Sequence, residues 1–520
     1  MSSPECYVYV STRSCEDPVR TIVLCVPDAS VRSVEDVQAF ASASGWIDEA
    51  EFDGAVLLAP VVAGGWASAQ GEPARDCFFA QRRMLQAPSH VSLPGRDGGL
   101  WAWEPLICLV GYEEGAAQVG ATLVAHPSFA ASAVLVDGAP QDLSRGEEPS
   151  DHWLVPKPSE AYHALNREVP VAAWLMGSAT EDAAFVAYLE QAGGPSWRIR
   201  RSPELSGTAP ALARLAMREF MTRVLRWKNA PDGTLAWHVN RQDFYLGERF
   251  EHASVEVGGL CYHYATHLPQ GMTGEDVRGL PLVLSIHGRG EPAWLYAEKN
   301  GWEDLADETQ AFVVVTPSSP RNIWMTGRDD DVLERIIDQV VATYGCDRSR
   351  VYLTGFSNGA AYTCQQATER PWLFAAASPW NCPPDEAIIS SGLGKYIYAP
   401  DAADKGYQMP FWVCAGACDD KGVPDRSCDL PIVRALARRD DLTEQVWDGE
   451  NHYVDAQGYA QGDRLTTQVL VDGAGVPRAG ITQVRDMPHG AIADEARAAW
   501  EFMKRFRRPE GARMVEEVNA

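Results

Sequence analysis

Positive charge is scarce in this chain of 520 residues: 45 lysines and arginines stand against 71 aspartates and glutamates, a formal net charge of −26. Nucleic acid calls for a basic footprint, so this balance argues against it, and equally against an anionic membrane surface or a polyanionic substrate. No run approaches the roughly 20 apolar residues of a membrane span. The opening stretch "MSSPECYVYVSTRSCEDPVR" has neither a basic n-region nor an apolar h-region, so no signal peptide is expected. CxxC pairs and Cys/His ligand spacings are missing too. The twelve cysteines are scattered. Cys25, Cys108 and Cys414 sit in apolar runs, where a thiol behaves as a small hydrophobe. Cys414, Cys418 and Cys428 are close together but show no ligand pattern. No metal and no cofactor are expected, and the thiols read as reduced, in a cytoplasm.

What is present is an alternation of apolar runs with helical patterns, the mark of parallel βαβ units. In the second half "LPLVLSIHG", "AFVVVTP", "RVYLTG", "FAAAS", "PFWVCAG" and "GITQVRD" read as strands. Between the second and third of these, "DDDVLERIIDQVVATYG" places Val332, Ile336, Ile337, Val340, Val341 and Tyr344 on one helical face. Asp330 is expected to cap its start and Gly345 its end. "AIADEARAAWEFMKRF" is the closing helix, preceded by an apparent hairpin in "TTQVLVDGAGVPRAGITQV".

The first half runs through a similar series. "RTIVLCVPD" matches the first strand, and "GAVLLAP" with Trp66 echoes "FVVVTP" with Trp324. "VPVAAWLMGSATED" echoes "MPFWVCAGACDD", and "ARLAMREFMTRVL" echoes "EARAAWEFMKRF". The chain therefore reads as two tandem α/β domains with mostly parallel sheets, roughly 1–228 and 229–520, joined near "KNAPDGT".

The repeat includes a strand-turn-helix. "VGYEEGAA" (110–117) and "TGFSNGAA" (354–361) share a frame of Gly, aromatic, X, X, Gly, Ala, Ala. The second has the GxSxG form of a nucleophile elbow, in which the glycines permit a sharp turn exposing Ser357 Oγ above the sheet. A neutral hydroxyl is a poor nucleophile and needs a base. In α/β-hydrolases the partners follow in the order Ser, acid, His. "FWVCAGACDD" offers Asp419 and Asp420 just past a strand, with Asp419 preferred. His489 in "MPHGAI" lies between the last strand and the last helix, the expected place for the base; His452 precedes the hairpin instead and reads as structural. Two backbone N–H groups should hold an oxyanion: that of Asn358, and that of Arg289 or its neighbour Gly288 in "HGRG". His287 reads as an organiser of that loop. Trp294, Trp324 and Trp380 fall near strand ends, where α/β ligands bind, and could flank an aromatic acyl group.

These residues carry a resemblance. "PLVLSIHGRG", "WEDLADETQAFVVVTP", "DDVLERIIDQVVATYGCDRSRVYLTGFSNGAA" and "MPHG…AAWEFMKRFRR" resemble the esterase family of polyhydroxybutyrate depolymerases, feruloyl esterases and acetylxylan esterases. It covers roughly residues 245–508. The resemblance implies an α/β-hydrolase fold and a Ser357/Asp419/His489 esterase that needs no cofactor. Family elbows commonly end in Gly-Gly, whereas Ala360 follows Gly359 here. No polymer-binding module is apparent, so the expected substrate is a small soluble ester, phenolic or short-chain; self-association is left open. The alternatives are a serine peptidase of prolyl-oligopeptidase type, whose first domain would be a β-propeller, and a non-catalytic binder on the same fold. In the first half Glu113 replaces the serine, and sliding the terminal helices together without gaps sets Gly207 opposite His489. Acidic Glu181 and Asp182 persist near the third position. That half is expected to be a hydrolase-like domain without the chemistry.

Overall fold

The computed structural model describes residues 5–12, 19–86, 102–149, 165–169, 171–191, 198–226, 235–237, 250–291, 293–319, 323–381, 406–416, 419, 431–446, 465–484 and 489–518. The chain divides into two compact units, Met1–Asn240 and Arg241–Ala520. The division thus falls beyond Lys228, and the polar stretch 228–234 lies outside the described residues.

In the first unit, strands β1 (Cys6–Val10), β2 (Val19–Cys25), β3 (Val56–Pro60), β4 (Ala102–Tyr112), β5 (Ser132–Val136), β6 (Ala173–Met176) and β7 (Ile199–Ser202) form a seven-stranded sheet. Its order is β1-β3-β2-β4-β5-β6-β7, and all neighbours are parallel except β1 with β3. Parallel neighbours need crossover connections, supplied here by helices that leave strands buried on both faces. That is why β3 and β5 are buried at every position and read as nearly continuous apolar runs. The helices are α1 (Val34–Ala43), α2 (Trp46–Asp53), α3 (Pro73–Gln86), α4 (Glu114–Ala125), α5 (Ala183–Gln191) and α6 (Pro210–Glu219). A separate hairpin pairs β8 (Val224–Arg226) with β9 (Leu235–Trp237).

The second unit holds a ten-stranded sheet of β10 (Glu251–Val257), β11 (Leu260–His267), β12 (Leu282–Ile286), β13 (Val313–Pro317), β14 (Val351–Phe356), β15 (Ala376–Trp380), β16 (Phe411–Gly416), β17 (Thr443–Val446), β18 (Leu465–Val471) and β19 (Pro477–Val484). The order is β10-β11-β13-β12-β14-β15-β16-β19-β18-β17, parallel from β13 to β19 with antiparallel pairs at both edges. Among the described residues its helices are α7 (Ala293–Asn300), α8 (Trp302–Thr309), α9 (Val332–Tyr344), α10 (Asn358–Glu369), α11 (Pro431–Asp440) and α12 (Ala493–Met503). From β12 the chain first steps outward to β13, then returns to the other side through β14 and β15. The carboxyl ends of β12 and β14 therefore flank a switch point, the place where ligands bind in open α/β sheets. This is the α/β-hydrolase architecture.

Seven strands of the second sheet, β11-β13-β12-β14-β15-β16-β19, repeat the order and sense of the first sheet. On α9 the expected apolar face is in the core: Val332, Ile336, Ile337 and Val340 are buried, with Val341 and Tyr344 packed against them. Gly345 takes the left-handed conformation expected at the helix end, φ 69°. At the other end the cap position falls on Asp331, not Asp330. Asp330 is otherwise engaged, its Oδ1 accepting from Gly327 N at 3.0 Å and from Gln365 Nε2 at 2.9 Å.

Reduced thiols throughout do not hold. Cys6 on β1 and Cys77 on α3 form a disulfide, their Cα atoms 6.4 Å apart, while Cys25, Cys108, Cys346, Cys364 and Cys414 are buried and form no disulfide. Sequence spacing could not show the pair, because 71 residues separate two cysteines that the fold alone brings together. Among the described residues, no helix is long and apolar enough to cross a membrane.

Candidate active site

Ser357 follows β14 at the apex of the turn into α10, with φ 55° and ψ −114°. A non-glycine residue at positive φ is costly and persists only where its surroundings fix it. The flanking glycines make the turn sterically feasible. A Cβ on Gly359 would lie 2.4 Å from Ile286 O and 2.5 Å from His287 O, and one on Gly355 would lie 2.5 Å from Gly359 O. These are backbone atoms of buried residues and cannot yield. Gly359→Ala is therefore expected to cost about 1–3 kcal/mol of stability, as overpacking does, and to displace the serine. A chemical-denaturation midpoint equal to the parent's, with full activity, would contradict this.

His489 Nε2 lies 2.9 Å from Ser357 Oγ, and His489 Nδ1 lies 2.9 and 3.1 Å from the two carboxylate oxygens of Asp419. The acid is 1% exposed and the imidazole 19%. In this geometry the serine hydroxyl can donate to Nε2 while the Nδ1–H donates to the carboxylate, the relation that general-base activation of a serine requires. The His489 ring also packs on Phe356, the aromatic residue of the elbow, at 4.9 Å between centroids. Asp420 and His452 lie outside the described residues.

Asn358 is the first residue of α10, so its N–H has no acceptor within the helix. Across the switch point the "HGRG" loop leaves β12. Gly288 N donates to Glu291 Oε2 at 3.3 Å, which leaves the Arg289 amide as the candidate second oxyanion donor. Glu291 is itself buried and paired with Lys299 of α7, whose Nζ stands 4.4 Å from the Phe356 ring centroid. The Glu291–Lys299 brace under the loop was not visible in the sequence: eight residues apart, the two face each other only because the loop turns back on α7. His287 is buried and organises the loop. Its Nδ1–H donates to Gly288 O at 2.7 Å and its Nε2 accepts from Ser319 N at 3.1 Å. Burial pushes its pKa below the usual histidine value, keeping the ring neutral.

The three tryptophans are not brought together as an aromatic pocket. Trp380 is fully buried, stacked on Trp302 at 5.8 Å with its Nε1 donating to Ser378 Oγ at 3.0 Å. Trp324 is 2% exposed and stacks on Tyr362 at 4.8 Å. Its backbone N–H donates to Asn358 Oδ1 at 2.7 Å, so it steadies the elbow from behind. Both are core residues because helix side chains cover them: Trp302 belongs to α8 and Tyr362 to α10. Trp294 alone is half-buried, beside Phe250, Ala293 and Ala297.

The first unit repeats this framework with other side chains. Glu113 stands at the apex with φ 53° and ψ −119°, matching the Ser357 values within a few degrees. A Cβ on Gly115 would lie 2.3 Å from Cys25 O, as Gly359 meets Ile286. Asp28 follows β2 where Arg289 follows β12, and its N–H is taken by Glu114 Oε2 at 3.2 Å. The donor that would face an oxyanion is thus occupied by the protein's own carboxylate. Glu181 N bonds Ser178 O at 3.0 Å as Asp419 N bonds Gly416 O at 3.1 Å, so Glu181 occupies the acid position. Asp182 caps α5 instead, accepting from Phe185 N at 2.9 Å. The gapless helix alignment needs a shift of one residue. Gly45 abuts Pro210 at the start of α6 as Gly301 abuts Ala493 at the start of α12. Gly207 is then opposite Gly490, and Ser206 opposite His489.

No family model matches the chain. It is 35% identical over 107 residues to the bifunctional acetylxylan esterase/xylanase XynS20E of Neocallimastix patriciarum, covering 20% of this chain and 16% of that one. It is 32% identical over 127 residues to poly(3-hydroxyalkanoate) depolymerase C of Paucimonas lemoignei, covering 22% and 29%. Feruloyl esterase B of Talaromyces funiculosus is 26% identical over 137 residues, covering 24% and 38%. The chain resembles esterases. It spans well under half the length of each of these relatives. Among solved structures, acetyl xylan esterase from Aspergillus awamori aligns with 16% identity and a TM-score of 0.36, over 49% of this chain and 99% of that one.

Proposed function

We propose that the second unit is a serine carboxylic ester hydrolase working through an acyl-enzyme. The observation that carries this is the unbroken contact series from Ser357 Oγ through His489 to Asp419, set on a strained elbow at the switch point. Ser357 attacks the ester carbonyl as His489 takes its proton. Asp419 holds the imidazole tautomer, and the Asn358 and Arg289 amides stabilise the oxyanion. His489 then returns the proton to the departing alcohol and activates the water that cleaves the acyl-enzyme. The names of the similar proteins, acetylxylan and feruloyl esterases and a polyhydroxyalkanoate depolymerase, all denote carboxylic esters.

Within that class, short-chain acyl esters fit better than phenolic ones, because Trp324 and Trp380 have no free ring face to offer an aromatic acid. Hydrolysis of p-nitrophenyl acetate and butyrate is expected to exceed that of methyl ferulate, and soluble esters should be turned over in preference to insoluble polyester or xylan. The reverse order in a panel of these substrates would overturn the acyl assignment. A peptidase of prolyl-oligopeptidase type is less well supported, since the first unit is a mostly parallel seven-stranded sheet and not a propeller.

The first unit is read as non-catalytic. It has a carboxylate at the nucleophile position, Ser206 where a base would stand, and a self-occupied oxyanion donor. Glu113→Gln should leave ester turnover within about twofold of the parent, as expected of a change at an exposed side chain outside the proposed triad. A large loss would show that the first elbow takes part.

A further inference from the structure

Asn381 is one of six described non-glycine residues at positive φ, and Ser357 and Glu113 are two of the others. It follows β15 directly, is fully buried, and has φ 47°. Its side-chain amide and its backbone N–H are engaged with segments that bear the acid and the base of the proposed triad. Its Oδ1 accepts from Gly416 N at 2.7 Å, at the end of the strand leading to Asp419. Its Nδ2 donates to Gly490 O at 2.5 Å, the residue after His489. The same Nδ2 reaches Glu495 Oε1 at 3.2 Å, and Glu495 Oε2 accepts from Ile492 N at 3.0 Å, pinning the start of α12. Its own N–H donates to Cys414 O at 2.8 Å, and Trp380 O, one residue before it, accepts from Ser357 N at 2.9 Å. Buried amide networks of this kind fix geometry strongly when every partner is satisfied.

The first unit offers an independent comparison. Asp137 stands at the same place after β5, with φ 58°, and bonds the matching segments: Oδ1 accepts from Ser178 N at 3.1 Å and Oδ2 from Gly207 N at 2.8 Å. There both partners are N–H donors, and a carboxylate satisfies both. In the second unit one partner is a carbonyl beside the base, and only an amide can accept from one side and donate to the other.

We infer that Asn381 is the positioning residue of the second unit's site: it ties the acid-bearing strand to the base-bearing loop and sets the Asp419–His489–Ser357 register. This rests on the ester-hydrolase reading for its catalytic consequence, but the bridge itself does not. Two substitutions separate side-chain bridging from backbone strain. Asn381→Gly accepts the positive φ freely but loses all three side-chain bonds. Asn381→Asp keeps the shape and the Gly416 bond but sets a carboxylate against Gly490 O and Glu495. Both are expected to lower kcat for p-nitrophenyl acetate about 10²-fold, the scale of an ångström-level misplacement of reacting groups, with KM within about threefold. Phosphonylation of Ser357 by a fluorophosphonate should slow in parallel. Retention of kcat within threefold in Asn381→Gly overturns the proposal. So does an equal fall in kcat and rise in KM, which marks general loosening. Should either variant fail to fold, Glu495→Gln, which disturbs one arm only, must show a smaller kcat loss with unchanged KM, and an unaltered kcat counts against the bridge. Amide hydrogen exchange at Gly416 in the parent reads the bridge without any substrate. A protected Gly416 in a protein with no hydrolase activity leaves the bridge standing and removes the ester-hydrolase reading; a rapidly exchanging Gly416 in an active enzyme does the opposite.

Discussion

Ser357→Ala is expected to lower kcat for a simple ester by on the order of 10⁶-fold while leaving the fold intact. Alanine at the apex meets the same positive φ that serine already bears, so the turn gains no new strain, and only the hydroxyl bonded to His489 Nε2 is lost. Without it no acyl-enzyme can form. What turnover remains would come from binding and from the oxyanion donors acting on bound water. His489→Ala should fall nearly as far, and the double variant hardly further, because nucleophile and base act as one unit. His452→Ala should stay near the parent. Steady-state hydrolysis of p-nitrophenyl acetate, with thermal melts to verify folding, measures all four. A His452→Ala variant more damaged than His489→Ala would move the base, and an active Ser357→Ala would remove the serine mechanism.

The parts legible in the sequence were those that local physics dictates. Doubly buried parallel strands are largely apolar, which made "LPLVLSIHG" and "RVYLTG" readable as β12 and β14. The elbow was readable because no side chain fits at Gly355 or Gly359. The repeat was readable because both units place glycine at the matching positions. Long-range contacts left no local mark. Cys6 and Cys77 lie on separate elements, and the Glu291–Lys299 brace depends on how one loop folds back. Trp324 and Trp380 sit at strand ends in sequence, but helix side chains cover them, and burial is a property of the whole packing. The one-residue error between Gly207 and His489 has the same origin. A gapless alignment fixes helix on helix by composition, whereas the close approaches of Gly45 to Pro210 and Gly301 to Ala493 fix it by contact.

Asp419→Asn is the second large effect, with an expected loss of about 10⁴-fold in kcat near neutral pH, the scale seen when a triad acid is made neutral. The imidazole Nδ1 stands within hydrogen-bond distance of both carboxylate oxygens, at 2.9 and 3.1 Å, so either can accept the Nδ1–H. An asparagine in that place presents an NH₂ on one side. If the amide donates to Nδ1, the ring proton moves to Nε2, which then points a hydrogen at Ser357 Oγ and can no longer accept one. The base is lost although the ring has not moved. If the amide oxygen accepts instead, the tautomer is retained, but the imidazolium formed during attack faces a neutral group in a site where the acid is 1% exposed. Desolvated charge without a counter-charge is costly there, so the transition state is penalised in either orientation. Asp420→Asn should lose less than threefold, because the adjacent position is not needed to orient the ring. Comparing kcat and KM of the two variants on one ester discriminates the roles. KM should change little in Asp419→Asn, since the acid acts on the base and not on the bound ester. Equal losses in the two variants would mean the carboxylates share the role, and a greater loss in Asp420→Asn would transfer it.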